Sequence, residues 1–213
     1  MKITIFVSYT YPYIGSGIGN VALKQAEMLS GLGHDVVVIS SNYPPADRVF
    51  VKNGVTHLKL PALFWLEKFH VPVPLMFFNL AVLRRIRSSD VIHVHDAVYP
   101  SSFFAALWAK IFGKKVVLTQ HIAFINYPNP VVNLIQKIAY ATLARASFLL
   151  SDHIIYFNPD VKKMITGYQK ASLLLTLLMV FGLFCWAMYW PTLDRQILPG
   201  WCCEGNHCER HDP

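Results

Sequence analysis

The chain begins with a strand, a glycine-rich loop and a helix, and this pattern constrains the fold more than any other feature. Residues 2–7 are rich in β-branched and aromatic side chains, which favours a buried strand. The following loop carries three glycines within five positions, Gly15, Gly17 and Gly19. A second valine-rich strand is predicted from Asp35 to Ser40. One βαβ unit therefore opens a parallel sheet.

The segment between the two strands is predicted to be an amphipathic helix that stops at Gly33. Five apolar residues are expected to share its buried face: Ile18, Val21, Ala22, Leu29 and Leu32. The first backbone N–H groups of a helix have no intrahelical partner, and the helix dipole is positive at that end. We therefore expect an anion, a phosphate or a sugar-phosphate, where the glycine loop meets the helix.

Two familiar phosphate-binding motifs do not fit this loop. A dinucleotide fingerprint needs a glycine where the chain has Asn20, and an acidic residue after the second strand, where the chain has Ser40. A P-loop needs a Gly-Lys-Ser/Thr sequence, and Lys24 comes too late, with other neighbours. Nicotinamide dehydrogenases and P-loop enzymes are therefore disfavoured.

Strands and helices alternate up to about residue 165, which predicts an α/β, doubly wound sheet covered on both faces. The expected elements are a turn at Asn53-Gly54, a strand at 55–60, a helix at 75–87, a strand at 90–95, a helix at 101–112, a strand at 116–120, a helix at 130–150 and a strand at 152–157. Ligands of such sheets bind outside the carboxyl ends of the strands. A site is therefore expected at that edge.

Polar residues and glycines are predicted to meet at this edge: Gly15, Gly17, His95, Asp96 and His121. His121 ends an otherwise apolar strand and is the strongest candidate for a cleft residue. His93 and His95 are expected on opposite faces of their strand, so that one of them packs in the core. The pair His95-Asp96 fits either a functional role or a hydrogen-bonded loop.

Five segments in order carry a family resemblance over residues 1–165. They are YPYIGSG at 11–17, MLSGLGHDVVV at 28–38, DVIHVHD at 90–96, VVLTQH at 116–121 and SDHIIY at 151–156. This series resembles the N-terminal domain of glycosyltransferase family 4, whose members have two facing Rossmann-like domains, the GT-B fold. The resemblance implies a Rossmann-like, mostly parallel sheet over residues 1–166.

The resemblance also implies a chemistry, the retaining transfer of a sugar from a nucleotide sugar to a glycan or lipid-linked acceptor. It makes His121 the catalytic residue that orients the donor sugar, and it places Gly15, Ser16 and Gly17 at the donor phosphates. Ser16 stands where the family has a second loop glycine. The cleft on the acceptor side would be lined by Tyr11, His95 and Asp96. Neither a metal nor another cofactor is expected.

The family's second, donor-binding domain is missing from these 213 residues, and no E-x7-E motif follows residue 165. Because the reaction needs both walls of the cleft, we expect the chain to be a truncated, acceptor-side domain that is inactive alone. The missing donor-binding domain is then a required partner.

Composition changes abruptly after Lys170, the last lysine of the chain. All four cysteines follow it, and residues 171–193 carry no charge. Three interpretations are open. A frameshifted tail explains the break and the missing domain together and is favoured. A transmembrane helix at 171–193, followed by a Cys/His-containing tail at 194–213, is second. A zinc site in that tail is third, because its cysteine spacing is uncommon.

The net charge of +7 is distributed in small clusters, which usually form solvated helix faces. The same charge suits anionic lipid headgroups, and residues 64–78 add aromatic side chains, so a membrane surface is a further expected partner. Nucleic acid is not expected, since no basic stripe carries stacking aromatics.

The chain begins directly with a strand, which predicts a cytoplasmic protein, at the inner face of a membrane if the apolar segment anchors it. The alternative function is a non-catalytic, membrane-tethered module that binds a sugar-phosphate or lipid headgroup.

Overall fold

The computed structural model of the chain describes residues 1–10, 17–42, 47–63, 73–74, 79–169, 181–182, 201–204 and 207–210. The strands are β1 (Lys2–Phe6), β2 (Asp35–Ser41), β3 (Val49–Lys52), β4 (Val55–Leu60), β5 (Ala62–Leu63), β6 (Val73–Pro74), β7 (Val91–His95), β8 (Lys115–Gln120), β9 (His153–Tyr156), β10 (Trp201–Glu204) and β11 (His207–Arg210). The helices are α1 (Gly17–Gly31), α2 (Leu80–Ser88), α3 (Pro100–Ile111), α4 (Pro130–Ala139), α5 (Arg145–Leu150) and α6 (Pro159–Gln169), and a π-helical turn (Tyr140–Ala144) joins α4 to α5.

Seven strands form one sheet in the order β3-β4-β2-β1-β7-β8-β9. Only β3 runs antiparallel to its neighbour; the other pairings are parallel. The chain moves from β1 to β2 on one side and later returns to β7 on the other side of β1. The predicted doubly wound, mostly parallel α/β sheet is therefore confirmed, and β1 is its central strand. The short pairs β5-β6 and β10-β11 form two separate two-stranded sheets.

Each face of the sheet has its own apolar cluster. On the first face, Ile5 and Val38 pack against Ala22 and Ala26 of α1. On the second face, strand residues such as Ile92 pack with apolar side chains from α2, α3 and α5. Both faces are therefore covered, as a parallel sheet requires.

The buried face of α1 is narrower than predicted. Ile18, Ala22 and Leu29 pack towards the sheet as expected. Val21 and Leu32, predicted on the same face, are 37% and 72% exposed, so that part of the prediction is wrong. The small side chains of Ala22 and Ala26 bring the helix close to the sheet, and Leu32 follows the last helical residue, Gly31. Gly33 then adopts a φ of 84° and ends the helix as predicted.

The turn at Asn53-Gly54 forms as predicted and joins β3 to β4. Both residues have positive φ, 51° and 75°, which matches the twist of a two-residue hairpin. The predicted helix at 130–150 also forms, with the π-helical turn inside it. The helix predicted at 75–87 is seen from Leu80, where the side chain of Asn79 caps its first N–H groups.

Most of the predicted tail lies outside the described residues, including nearly all of the segment 171–193. Within the described ranges, no helix has both the length and the apolar character needed to cross a membrane.

Candidate functional site

The site is built where two neighbouring parallel strands end. His95 is the last residue of β7, and the register pairs it with Thr119 of β8. Asp96 and His121 are the residues that follow the two strand ends. Since parallel strands end at the same edge, His95, Asp96 and His121 come together as predicted.

His95 and His121 form a hydrogen-bonded pair of imidazoles. Nδ1 of His95 lies 2.9 Å from Nε2 of His121, and the ring centroids are 5.2 Å apart at an interplanar angle of 21°. His95 is fully buried, whereas His121 is half-buried and contacts the ring of Phe157. His121 is therefore the member of the pair that a ligand can reach.

The surroundings of His95 indicate which ring donates the proton. Its Nε2 is buried without a hydrogen-bond partner among the described residues. If Nε2 of His121 donated to Nδ1 of His95, the neutral ring of His95 would carry its proton on Nε2. That Nε2 would then be a buried donor without an acceptor, which is rarer and costlier than a buried acceptor without a donor. We therefore assign the proton to Nδ1 of His95. His121 then carries its proton on Nδ1, available to donate to a ligand oxygen.

His93 lies on the same face as His95, with ring centroids 4.6 Å apart. The prediction of opposite faces is wrong, because residues two apart along a strand point the same way. His93 is a buried histidine whose Nε2 is 2.7 Å from the hydroxyl of Thr119. It packs against the ring of His95.

Burial keeps these imidazoles neutral. It is the main cause that lowers the pKa of His93 to about 4 and the pKa of His95 to about 2, with smaller contributions from the neighbouring histidines. Burial also lowers the pKa of His121. A neutral histidine both donates and accepts a hydrogen bond, which suits the orientation of a ligand hydroxyl.

Asp96 fixes the backbone of His121. It has a φ of 58°, and its Oδ1 accepts the backbone N–H of His121 at 2.9 Å. The backbone N–H of Asp96 in turn donates to the carbonyl of Thr119 at 2.9 Å. Its Oδ2 is buried without a hydrogen-bond partner among the described residues, and burial raises the pKa of the carboxyl group to about 7. These hydrogen bonds fit a loop residue, one of the two roles considered, and they leave the predicted role of Asp96 in the cleft a prediction.

Gln120 is a site residue that the sequence reasoning missed. Its buried amide oxygen accepts the backbone N–H of Ala97 at 2.9 Å, and its amide nitrogen donates to the carbonyl of Ile122 at 2.8 Å. The amide thus ties the loop after β7 to the loop after β8. The signal available was an uncharged polar residue at the end of an apolar strand, next to His121.

The glycine loop is described only in part. Gly17 is the first residue of α1, and open space surrounds the position where a Cβ would lie. Tyr11, Gly15 and Ser16 lie outside the described residues. The roles assigned to Gly17, His95, Asp96 and His121 stay predictions.

Two further observations concern a cavity and the arrangement of possible metal ligands. A surface cavity of about 260 Å³ between β9 and α6 is lined by residues such as Asp152, Tyr156 and Lys162, and by none of the predicted site residues. No group of three or more His, Cys, Asp or Glu side chains in the described part of the chain is arranged to hold a metal.

Comparison with known proteins gives one decisive match. The family model of Glycosyltransferase Family 4 matches residues 15–172. No curated protein matches the chain. Among solved structures, the catalytic domain of starch synthase IV from Arabidopsis thaliana, bound to ADP and acarbose, is similar at 17% identity and a TM-score of 0.36. That match covers 56% of this chain and 33% of the starch synthase domain.

A short-chain dehydrogenase/reductase from Burkholderia vietnamiensis is similar at 14% identity and a TM-score of 0.43, over 75% of this chain and 85% of the other. At these TM-scores neither structural likeness carries an argument. The family model spans more than half of the chain. The chain belongs to glycosyltransferase family 4.

Proposed function

We propose that the chain is the acceptor-side domain of a retaining, nucleotide-sugar-dependent glycosyltransferase with a glycan or lipid-linked acceptor. Membership of family 4 supports glycosyl transfer in general. The observation that carries the finer proposal is the neutral His95–His121 pair at the carboxyl edge, with the Nδ1 proton of His121 available to a ligand.

In this proposal His121 donates a hydrogen bond to a hydroxyl of the donor sugar and orients it. Asp96 holds the His121 backbone, and Gln120 holds the adjoining loops. Orientation of this kind lowers the barrier because the reacting groups meet in the correct geometry. His95 and Tyr11 line the acceptor side of the cleft.

The leaving diphosphate would be held where α1 begins. Gly17 opens that helix, and the preceding Gly15 and Ser16 belong to the same proposed phosphate loop. Backbone N–H groups and the positive end of the helix dipole would stabilise the charge that develops on the departing phosphate. The nucleotide sugar is a substrate, and the proposal includes no metal or other cofactor.

The proposal needs a second domain to bind the nucleotide. Alone, the chain would bind substrate weakly and transfer no sugar, because one wall of the cleft is absent. A cytoplasmic location, at the inner face of a membrane when the acceptor is lipid-linked, completes the proposal.

The test supplies a donor-binding domain of a family 4 enzyme to the full chain, as a separate polypeptide or a fusion. Radiolabelled nucleotide sugars are offered with glycan and lipid-linked acceptors, and NMR determines the anomeric configuration of the product. We expect transfer with retention in the presence of the second domain and none without it. Transfer with inversion, or binding without transfer to any acceptor, contradicts the proposal; the second result favours the non-catalytic module.

The role of His121 is tested by His121→Ala in the same assay. Loss of one hydrogen bond made in the transition state is expected to lower kcat by about 10²-fold. The matched control is His153→Ala, since His153 is exposed at the start of β9. An unchanged kcat for His121→Ala would remove His121 from the proposed mechanism.

A further inference from the structure

Lys59, near the end of β4, is a buried lysine that the proposed mechanism does not use. Its side chain is only 2% exposed. Its ammonium group donates a hydrogen bond to the hydroxyl of Thr10, and this hydroxyl is 2.9 Å from that of Ser40. The sheet register pairs Lys59 with Ser40 directly. The buried ammonium group is thus held by the hydroxyl of Thr10, which Ser40 holds in turn.

A buried charge normally has a charged partner. Several more exposed cations have one: Arg85 pairs with Asp35, Lys110 with Asp152 and Lys24 with Glu27. Among the described residues, no acidic side chain pairs with Lys59. Burial alone lowers its pKa to about 8. The most buried described cation therefore has no carboxylate partner among the described residues.

Unsatisfied hydroxyl groups accompany Lys59 at the same edge of the sheet. The Oγ atoms of Ser8, just after β1, and of Ser41, at the end of β2, are buried without hydrogen-bond partners among the described residues. Polar groups without partners in a protein interior often mark a place where a ligand or water completes the hydrogen bonding.

The register places Lys59 on the same face as the histidine pair. Val38 is matched to His57 on β4 and to Ile5 on β1, and Ile5 is matched to His93 on β7. Lys59 and His95 each lie two residues further along their strands, so both point to the face of Ile5. Three strand spacings separate them, about 14 Å.

That face is the one that α1 covers, since Ile5 and Val38 pack against Ala22 and Ala26. α1 begins at Gly17, after the loop that leaves the carboxyl end of β1, so the helix start and Lys59 belong to the same edge. A helix N-terminus and an ammonium group both attract anions.

We propose that Lys59 is an anion-binding residue for a phosphoryl group of the ligand, with Thr10 and Ser40 positioning its ammonium group. The phosphoryl group belongs either to the nucleotide donor or to a phosphorylated acceptor. The inference deepens the proposed function and rests on it only for this choice of source, because anion binding can be measured without sugar transfer.

The first experiment compares Lys59→Met with the unmodified full chain by isothermal titration calorimetry, using inorganic pyrophosphate as probe. We expect the affinity to fall at least about tenfold, the usual effect of losing a hydrogen bond to a charged group. The control Lys24→Met removes an equal charge from an exposed position of α1 and is expected to bind as the unmodified chain does. Equal affinity of Lys59→Met and the unmodified chain overturns the inference.

A second measurement needs no variant and remains decisive if Lys59→Met does not fold. Sulfate does not change its own protonation near pH 8, and its binding should protonate Lys59 fully. With a pKa of about 8, Lys59 would take up about half a proton for each sulfate bound at pH 8. Calorimetry in two buffers of different ionisation enthalpy measures this uptake, and sulfate binding without uptake overturns the inference.

The titratable groups near Lys59 are not expected to contribute to this proton uptake at pH 8. On β4, the pKa of His57 is lowered to about 4, first by burial and then by the charges of Lys59 and Lys52, so His57 is neutral at pH 8. On α1, Glu27 has a lowered pKa because Asn53 and Lys24 donate hydrogen bonds to it, so it is ionised throughout. Met1 precedes β1 at the opposite edge of the sheet.

Two further probes identify the source of the phosphoryl group. A Lys59-dependent affinity for a nucleoside diphosphate assigns the group to the donor, and one for a hexose phosphate assigns it to the acceptor. If pyrophosphate binding depends on Lys59 while the assay with a second domain shows no sugar transfer, the inference stands and the proposed function fails. If Lys59→Met changes neither sugar transfer nor the affinity for pyrophosphate, the proposed function stands and the inference about Lys59 fails.

Discussion

At the scale of single residues, Asp96 and the histidines beside it respond to pH in opposite directions. His93 and His95 titrate near 6.5 when unfolded but have much lower pKa values in the fold. Their contribution to stability is complete above pH 6.5 and is lost as the pH falls towards 4, because the unfolded chain binds protons first. Asp96 has a raised pKa. Its contribution is complete below pH 3.8 and is lost as the pH rises towards 7.

Asp96→Asn separates the two effects. The amide keeps an oxygen to accept the N–H of His121 and cannot ionise. We expect the free energy of unfolding of the variant, relative to the unmodified chain, to rise between pH 4 and pH 7 by up to about 4 kcal/mol, at about 1.4 kcal/mol for each pKa unit. Urea titrations at pH 4.5, 6 and 7.5 measure it, with Asp47→Asn on the exposed surface as control. Parallel curves for the variant and the unmodified chain would contradict the assignment.

The histidine pair shows what single residues reveal in the sequence. His121 was identifiable because a polar residue ended an apolar strand, but its hydrogen bond to His95 depends on the register of β7 and β8. Lys59 was also identifiable. Val55, His57 and Lys59 alternate along one strand, and all three are buried, so the lysine follows the inward side of the pattern. A charged residue at an inward position of a strand indicates a special role, and Lys59 was not considered on this ground.

At the scale of elements, the hairpin between β3 and β4 depends on Gly54. Its φ is 75°, and an added Cβ would lie 2.7 Å from the hydroxyl oxygen of Ser30, which itself donates to the carbonyl of Gly54. We expect Gly54→Ala to lower the free energy of unfolding by about 1–2 kcal/mol through the positive φ alone, and further through the contact. The control Gly31→Ala lies in α1 with open space around it and is expected to stabilise by about 0.4–1 kcal/mol. Thermal and urea unfolding measure both variants, and equal effects would refute the argument.

Most elements were predictable because each has its own periodicity and its own stop signal. The turn at Asn53-Gly54 and the helix stop at Gly33 follow from backbone geometry that few residues accept. The exposure of Val21 was not predictable, since it depends on how closely the small residues of α1 approach the sheet. The π-helical turn from Tyr140 was not predictable either, because nothing in its side chains distinguishes it from an α-helix.

At the scale of the whole molecule, α4 presents an apolar stripe to solvent. None of its residues is buried, and four apolar side chains at helical spacing are 45–59% exposed: Val131, Leu134, Ile135 and Ile138. Apolar residues at i, i+3, i+4 and i+7 lie on one side of a helix. Contiguous exposed apolar surface of this kind favours association.

Leu134→Gln is therefore expected to reduce self-association of the chain, seen as a smaller hydrodynamic radius or higher solubility in light scattering. Because Leu134 is 58% exposed, the free energy of unfolding should change by no more than about 0.5 kcal/mol. Leu80→Gln, at 56% exposure on α2, is the matched control and should leave association unchanged. An equal effect of both substitutions would show that the stripe has no special part in association.

The central position of β1 in the sheet has a consequence for the nascent chain during synthesis. β1 leaves the ribosome before the other strands of this sheet, yet it lies in the middle of the sheet, and its second neighbour, β7, ends only at His95. At the usual pace of about 5–20 residues per second, roughly 5 to 20 seconds separate the synthesis of the two strands. During that interval one edge of this buried strand has no partner from the sheet. The nascent chain should therefore depend on chaperones while it is being synthesised, more than a chain whose first strand lies at the border of its sheet.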